Sequence, residues 1–139
     1  MQNGRFWSHL NTAKSLIENY EGDIPFHHYI RQHFRENSKY GSRDRREISA
    51  LCYSYFRAGR ALHEFPIEER MRMAWFLCND QPSDLLAFIN EHWNDSAGID
   101  IDEKIDLINA HHDRSPIRIT EIFPFHDRLS PAITLEKND

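Results

Sequence analysis

Glycine is scarce in this chain. Its 139 residues include five, at positions 4, 22, 41, 59 and 98, and no two are spaced as G-x-G. A phosphate cradle of the dinucleotide or Walker kind needs clustered glycines so that the backbone can approach the ligand, so neither is expected. Cysteine is scarcer still. Cys52 and Cys78 are the only two, too few for a disulfide framework, and neither has a flanking motif that marks a nucleophile. Each lies in an apolar pattern and reads as a small core residue. A reducing compartment, the cytoplasm, is the simplest setting. Long apolar runs are missing too. No stretch approaches the roughly 20 residues of a membrane span. The opening MQNGRFWSHLN lacks the apolar segment of a secretory signal. No membrane partner is expected.

The pairs His27-His28 and His111-His112 invite a metal reading. Adjacent residues on a helix point about 100° apart, so neither pair is a ready chelate, and no metal is expected. Acidic pairs such as Glu68-Glu69 and Asp102-Glu103 suit solvated helix starts, where carboxylates favour the dipole. Nothing in the chain assembles a catalytic constellation.

What the chain has is a foldable composition. With 40 % hydrophobic and 12 % aromatic residues it is no disordered chain, and its length suits one domain. A net charge of −5 conceals an asymmetry. Residues 27–63 hold eight Lys or Arg against three Asp or Glu, whereas residues 64–139 hold seven against sixteen. Positive charge clustered on an acidic protein is a partner clue that the net value hides.

The punctuation predicts helices joined by short loops. Residues 5–20 carry Phe6, Leu10, Ala13, Leu16, Ile17 and Tyr20 at helical spacing. Pro25 opens a second helix with the stripe Phe26, Tyr29, Ile30, His33 and Phe34. After ENSKYGS a third runs from about 43 to 62, with Ile48, Leu51, Cys52, Tyr55, Phe56 and Leu62 inward. Pro66 starts a fourth, carrying Ile67, Met71, Ala74, Trp75 and Cys78 on one side. A fifth carries Leu85, Leu86, Phe88, Ile89 and Trp93. A sixth opens on Asp100 and Glu103, spaced as a capping box, with Ile101, Ile105 and Ile108 inward. From position 113, DRSPIRITEIFPFHDRLSPAITLEKND has three prolines and no helical period. It reads as an extended tail packing through Ile119, Ile122, Phe123 and Phe125. The expectation is an all-α bundle of about six helices with that tail.

The third helix contains five arginines, and their direction matters. With Arg43 set to zero and about 100° per residue, the apolar residues occupy about 80–220°. Arg43, Arg46, Tyr53, Arg57 and Arg60 occupy about 260–360°. Arg45 falls beside the core boundary and is expected to have a local partner. A guanidinium grips phosphate in a planar fork, and an aromatic ring stacks on an exposed base. Arg43, Arg46, Tyr53, Arg57 and Arg60, extended by Arg31, Arg35 and Lys39, are therefore the candidate residues for binding RNA or DNA. The other reading of the same face is a solvated helix surface, with arginine stems covering apolar area.

The segment KYGSRDRREISALCYSYFRAGRAL, with its Arg43-Asp44-Arg45 start and its Tyr53 to Arg57 spacing, resembles the N-terminal helical domain of Sun/Fmu-type ribosomal RNA cytosine-5 methyltransferases. HLNTAKSLIENYEGDIPFHHYI and IFPFHDRLSPAI resemble that family's flanking segments. The resemblance implies a NusB-like fold, named for the antitermination factor NusB. It also implies ribosomal RNA as partner and a catalytic domain that binds S-adenosylmethionine. The family's catalytic cysteines follow Pro or Thr. Cys52 and Cys78 follow leucines, so no catalytic role carries over, and no cofactor is expected in this chain itself. On this reading residues 1–129 form an RNA-binding accessory domain, and 130–139 begin the linker to a methyltransferase domain. The alternative is a protein-interaction or scaffold domain, with its exposed apolar patch around Phe123 and Phe125.

Overall fold

A computed structural model of the chain describes residues 2–110, with side chains from residue 4 onward. The expected extended tail, the pair His111-His112, the patch at Phe123 and Phe125 and the linker at 130–139 lie outside the described residues. The described residues form seven helices and no strand, so the chain is all-α: α1 (Gln2–Asn19), α2 (Phe26–Glu36), α3 (Ser42–Ala58), α4 (Ile67–Cys78), α5 (Asp84–Ile89), α6 (Glu91–Asp95) and α7 (Ile101–Asn109). No described helix is long and apolar enough to cross a membrane. The chain divides into two units, one ending at Tyr53 and the other starting at Ser54.

In the first unit, α1 buries Phe6, Leu10, Ala13, Leu16 and Ile17 of the stripe that the spacing predicts, whereas Tyr20 lies past its end and is half-buried. Gly22, at φ +80°, lies in the turn that follows. Pro25 sits at the N-cap of α2 with its fixed φ of −58°, and its carbonyl accepts from Tyr29 N–H at 3.2 Å. Proline suits that place because it lacks a donor the helix could not use. On α2 only Ile30 is buried. On α3, Ile48, Leu51 and Cys52 are fully buried, and the Cys52 thiol reaches the Ala13 carbonyl at 3.8 Å. Burial pushes this thiol up to about 12, which keeps it protonated and inert as a nucleophile at neutral pH.

Three expectations need correction. The third helix ends at Ala58 rather than near 62, because Gly59 takes a positive φ of 60° and its N–H turns back to Phe56 O at 3.0 Å. Such a left-handed glycine is a common helix stop. Past Tyr53 the buried side of α3 shifts as well. Ser54 and Ala58 are buried, whereas Phe56, expected inward, is 37 % exposed. The expected fifth helix is two short ones. Asn90 is extended (φ −169°, ψ 110°) and its side chain caps the second segment by accepting from Trp93 N–H at 3.0 Å. Asparagine is among the strongest N-cap residues, so it restarts a helix as readily as it interrupts one.

The second unit buries Met71, Ala74, Trp75, Phe76 and Leu77 from α4, Leu85 and Leu86 from α5, and Ile105 and Ile108 from α7. The Phe76 and Trp93 rings stack at 4.8 Å. At the start of α7, Asp100 N–H donates to Glu103 Oε1 at 3.3 Å, the back-reaching half of a capping box. Lys104 is the surprise. It is 2 % exposed, and its ammonium donates to Phe76 O at 2.8 Å and Asn79 O at 2.7 Å. These carbonyls belong to the end of α4, where the helix leaves acceptors unpaired and its dipole favours a cation. Desolvation lowers the Lys104 pKa, opposed by Asp80 and Cys78.

Replacing Lys104 by Met keeps the stem and removes the donors. Hydrogen bonds from a charged group contribute about 1.5–3 kcal/mol, so Lys104→Met is expected to destabilise by about that amount. Urea unfolding followed by helical circular dichroism reads it, and an unchanged midpoint would show that the two carbonyls find other donors.

Candidate functional site

Helices α2 and α3 are joined by the five residues 37–41. Phe26, at the start of α2, packs edge-to-face on Tyr53, near the end of the first unit's part of α3, with centroids 5.6 Å apart. The two helices therefore run antiparallel as a hairpin. Between them lies a groove of about 430 Å³ lined by His27, Ile30, Arg31 and Phe34 from α2 and by Ser42, Arg45, Arg46, Ser49 and Tyr53 from α3. The spacing explains the lining. Both sets step by three and four residues, so each is one stripe along its helix.

The α3 stripe falls at about 200–300° in the frame that sets Arg43 to zero. Asp44 and Glu47, the acids nearest these arginines in sequence, fall at about 40–100°. That side of α3 meets α1. There His9, 4 % exposed, reaches Glu47 Oε1 with Nδ1 at 2.6 Å and Asp44 Oδ1 with Nε2 at 3.0 Å. Both ring nitrogens are thus occupied, one by each carboxylate. The carboxylates sit at opposite edges of the ring, so they do not converge on one point as metal ligands would. Asp44 also accepts from Gly41 N–H at 3.2 Å through Oδ2. The groove lining thus contains three guanidinium groups and no carboxylate.

Arg45 donates to the Tyr40 carbonyl at 2.7 Å, the local partner expected of it, and lines the groove as well. Among the described residues Arg31 and Arg46 have no carboxylate within ion-pair distance. Burial raises the Tyr53 phenol, with Cys52 and Tyr20 adding to that and the Arg31 guanidinium opposing it. Tyr53 is therefore a neutral ring at physiological pH, 40 % exposed.

Of the residues expected to bind RNA, Arg31, Arg46 and Tyr53 line this one groove. Arg35, Lys39 and Arg43 are exposed in the same unit but outside the lining, with Lys39 over the Tyr40 ring at 5.3 Å. Arg57 and Arg60 are exposed and belong to the second unit, Arg57 in the last turn of α3 and Arg60 beyond its end. His27, Ser42, Arg45 and Ser49 line the groove but were not among the residues expected to bind RNA. The α2 stripe His27, Ile30, Arg31, Phe34 was their available signal, since it mixes charge into an apolar period. His9 was missed because a single histidine near an apolar stripe gives no sign of its partners 35 and 38 residues away. Comparison with protein-family models, with curated proteins and with solved structures returns no match to this chain.

His33 lies at the loop end of α2, its ring 5.5 Å from Phe34 and 5.9 Å from Tyr40. Its Nε2 is buried without a hydrogen-bond partner among the described residues. Burial lowers its pKa, with Glu36 opposing and Lys39 assisting. The unfolded chain then binds the proton more readily than the fold, so stability is present above the ordinary histidine value of about 6.5 and lost as pH falls through the lower folded value. His33→Phe, which keeps an aromatic ring there, is expected to flatten the decline of the urea midpoint between about pH 7 and 5. An identical pH profile in variant and wild type would assign that decline to other groups.

Proposed function

We propose that this chain is an RNA-binding accessory domain that grips the substrate of a methyltransferase. The observation that carries the binding role is the α2–α3 groove: Arg31, Arg45 and Arg46 with Tyr53 and Phe34, and no acid in the lining. Guanidinium groups without a carboxylate partner keep their donors for an external anion, and phosphate matches their fork. The methyltransferase part rests on the resemblance of the Arg43-Asp44-Arg45 and Tyr53–Arg57 pattern to Sun/Fmu-type enzymes. On that reading ribosomal RNA is the substrate, the cytoplasm is the setting, and a NusB-like bundle is the fold. The cytosine chemistry belongs to a catalytic domain that carries S-adenosylmethionine, and extruding the base is that domain's task. The residues beside Arg46 are engaged locally: Asp44 serves His9 and Gly41, and Arg45 serves Tyr40. Arg46 is left to face a ligand.

Phosphate contacts release counterions, so affinity should fall linearly with salt on logarithmic axes, by about 0.7 in slope for each single-strand contact. With labelled RNA followed by fluorescence anisotropy across a salt series, the Arg31→Ala, Arg46→Ala double variant is expected to bind more weakly. Its slope should be shallower by about 1.4, while its circular dichroism stays helical. Absence of RNA binding by the wild type would overturn the reading and leave a protein-docking role. A slope untouched by the double substitution would remove the groove from the interface.

A further inference from the structure

We propose that the α2–α3 groove seats an unpaired nucleotide, with its base against the Tyr53 ring and its backbone phosphate on Arg31 and Arg46. The domain would then select single-stranded over duplex RNA. This rests on the RNA-binding reading above and goes beyond it, because a cationic surface alone grips either form. Three observations carry it.

The first is the condition of Tyr53. The residue is 40 % exposed, yet its ring is held in place. Phe26 meets it edge-to-face at 5.6 Å and 82°. Phe26 is itself held by Tyr20 at 5.0 Å and Tyr29 at 5.5 Å, and the Tyr29 hydroxyl donates to Leu16 O at 3.0 Å. A ring held by its neighbours yet partly exposed is a stacking platform whose ordering cost has been met in folding. The second is the polarity along the groove. In the antiparallel hairpin Tyr53 and His27 share one end, whereas Phe34, Ser42 and Arg45 share the other. Arg46, seven residues before Tyr53, stands about 10 Å from it along the helix axis. An aromatic face and a phosphate fork so separated suit a base and a neighbouring backbone phosphate of one extended strand.

The third is size. A groove of about 430 Å³ between two helices lies within the range of small-ligand sites, about 300–1,000 Å³. A duplex keeps its bases stacked inside and offers a groove of this kind only phosphates and sugars. A single strand can turn a base in. Base–aromatic stacking is worth a factor of about ten or more in affinity by substitution, so the Tyr53 contact is large enough to measure.

The probes are oligouridine, which leaves its bases free, and the oligouridine–oligoadenylate duplex of equal length. Wild-type protein is expected to bind the single strand about tenfold tighter than the duplex at one fixed salt concentration. Tyr53→Phe keeps the ring and should keep that preference. Tyr53→Leu should lose about tenfold on the single strand and little on the duplex, with its fold checked by thermal melting. Ultraviolet crosslinking of wild-type protein to oligouridine, followed by peptide mapping, needs no variant and should mark Tyr53. Equal affinity for the two probes, or a crosslink that leaves Tyr53 unmarked, overturns the inference while RNA binding stands. If neither probe binds, the inference falls together with the function it rests on.

Discussion

One imidazole, His9, decides which way the charged residues of α3 face. It comes from α1, is almost wholly buried, and is bonded on one side to Asp44 and on the other to Glu47. Hydrogen bonds to a carboxylate are stronger than those between neutral groups. The bridge fixes the rotation of α3 against α1. It also engages both acids of the Arg-Asp-Arg-Arg-Glu run, which the helical repeat places on one side of the helix. Arg45 and Arg46 are left on the side that meets α2. Without such a bridge, acids and arginines three or four residues apart on one helix pair with each other, and the cationic groove would neutralise itself.

The same hairpin joins packing to function. Ile30 is the one buried residue of α2, so the rest of its apolar stripe is only partly consumed by the fold. Phe34 and His27 spend what remains on the groove wall. A short helix that buries little is a weak structural element taken alone. Its attachment comes from the Phe26, Tyr29, Tyr20 and Tyr53 ring cluster at one end. At the other end are the Tyr40 ring against Phe34 and His33 and the Arg45 bond to Tyr40 O. Aromatic contact thus holds the hairpin shut at both ends while its middle stays open.

Element type was legible in the sequence because it rests on local rules. Pro25 and Pro66 both stand at the N-caps of the helices they were expected to open, and five of the six residues of the expected first stripe are buried, Tyr20 being half-buried past the end of α1. Boundaries that turn on one backbone dihedral were less legible. Gly59 could have continued a helix or ended it, and Asn90 could have capped or been passed over. The helical repeat alone puts Arg46 and Tyr53 on one exposed side of α3. It does not put Arg45 in the groove or Arg57 outside it. That depends on where α2 lies and where the second unit begins. Lys104 shows the limit most plainly: a lysine in the middle of a short helix reads as solvated, and only the unpaired carbonyls at the end of α4 explain its burial.

The most direct measurement is a titration of the isotope-labelled protein with oligouridine, followed by the amide resonances of the described helices. The account predicts the largest shifts along His27–Phe34 and Ser42–Tyr53, the two stripes that line the groove, with α1 and α5–α7 nearly unmoved. Shifts centred on the second unit, or resonances that do not move at all, would contradict it.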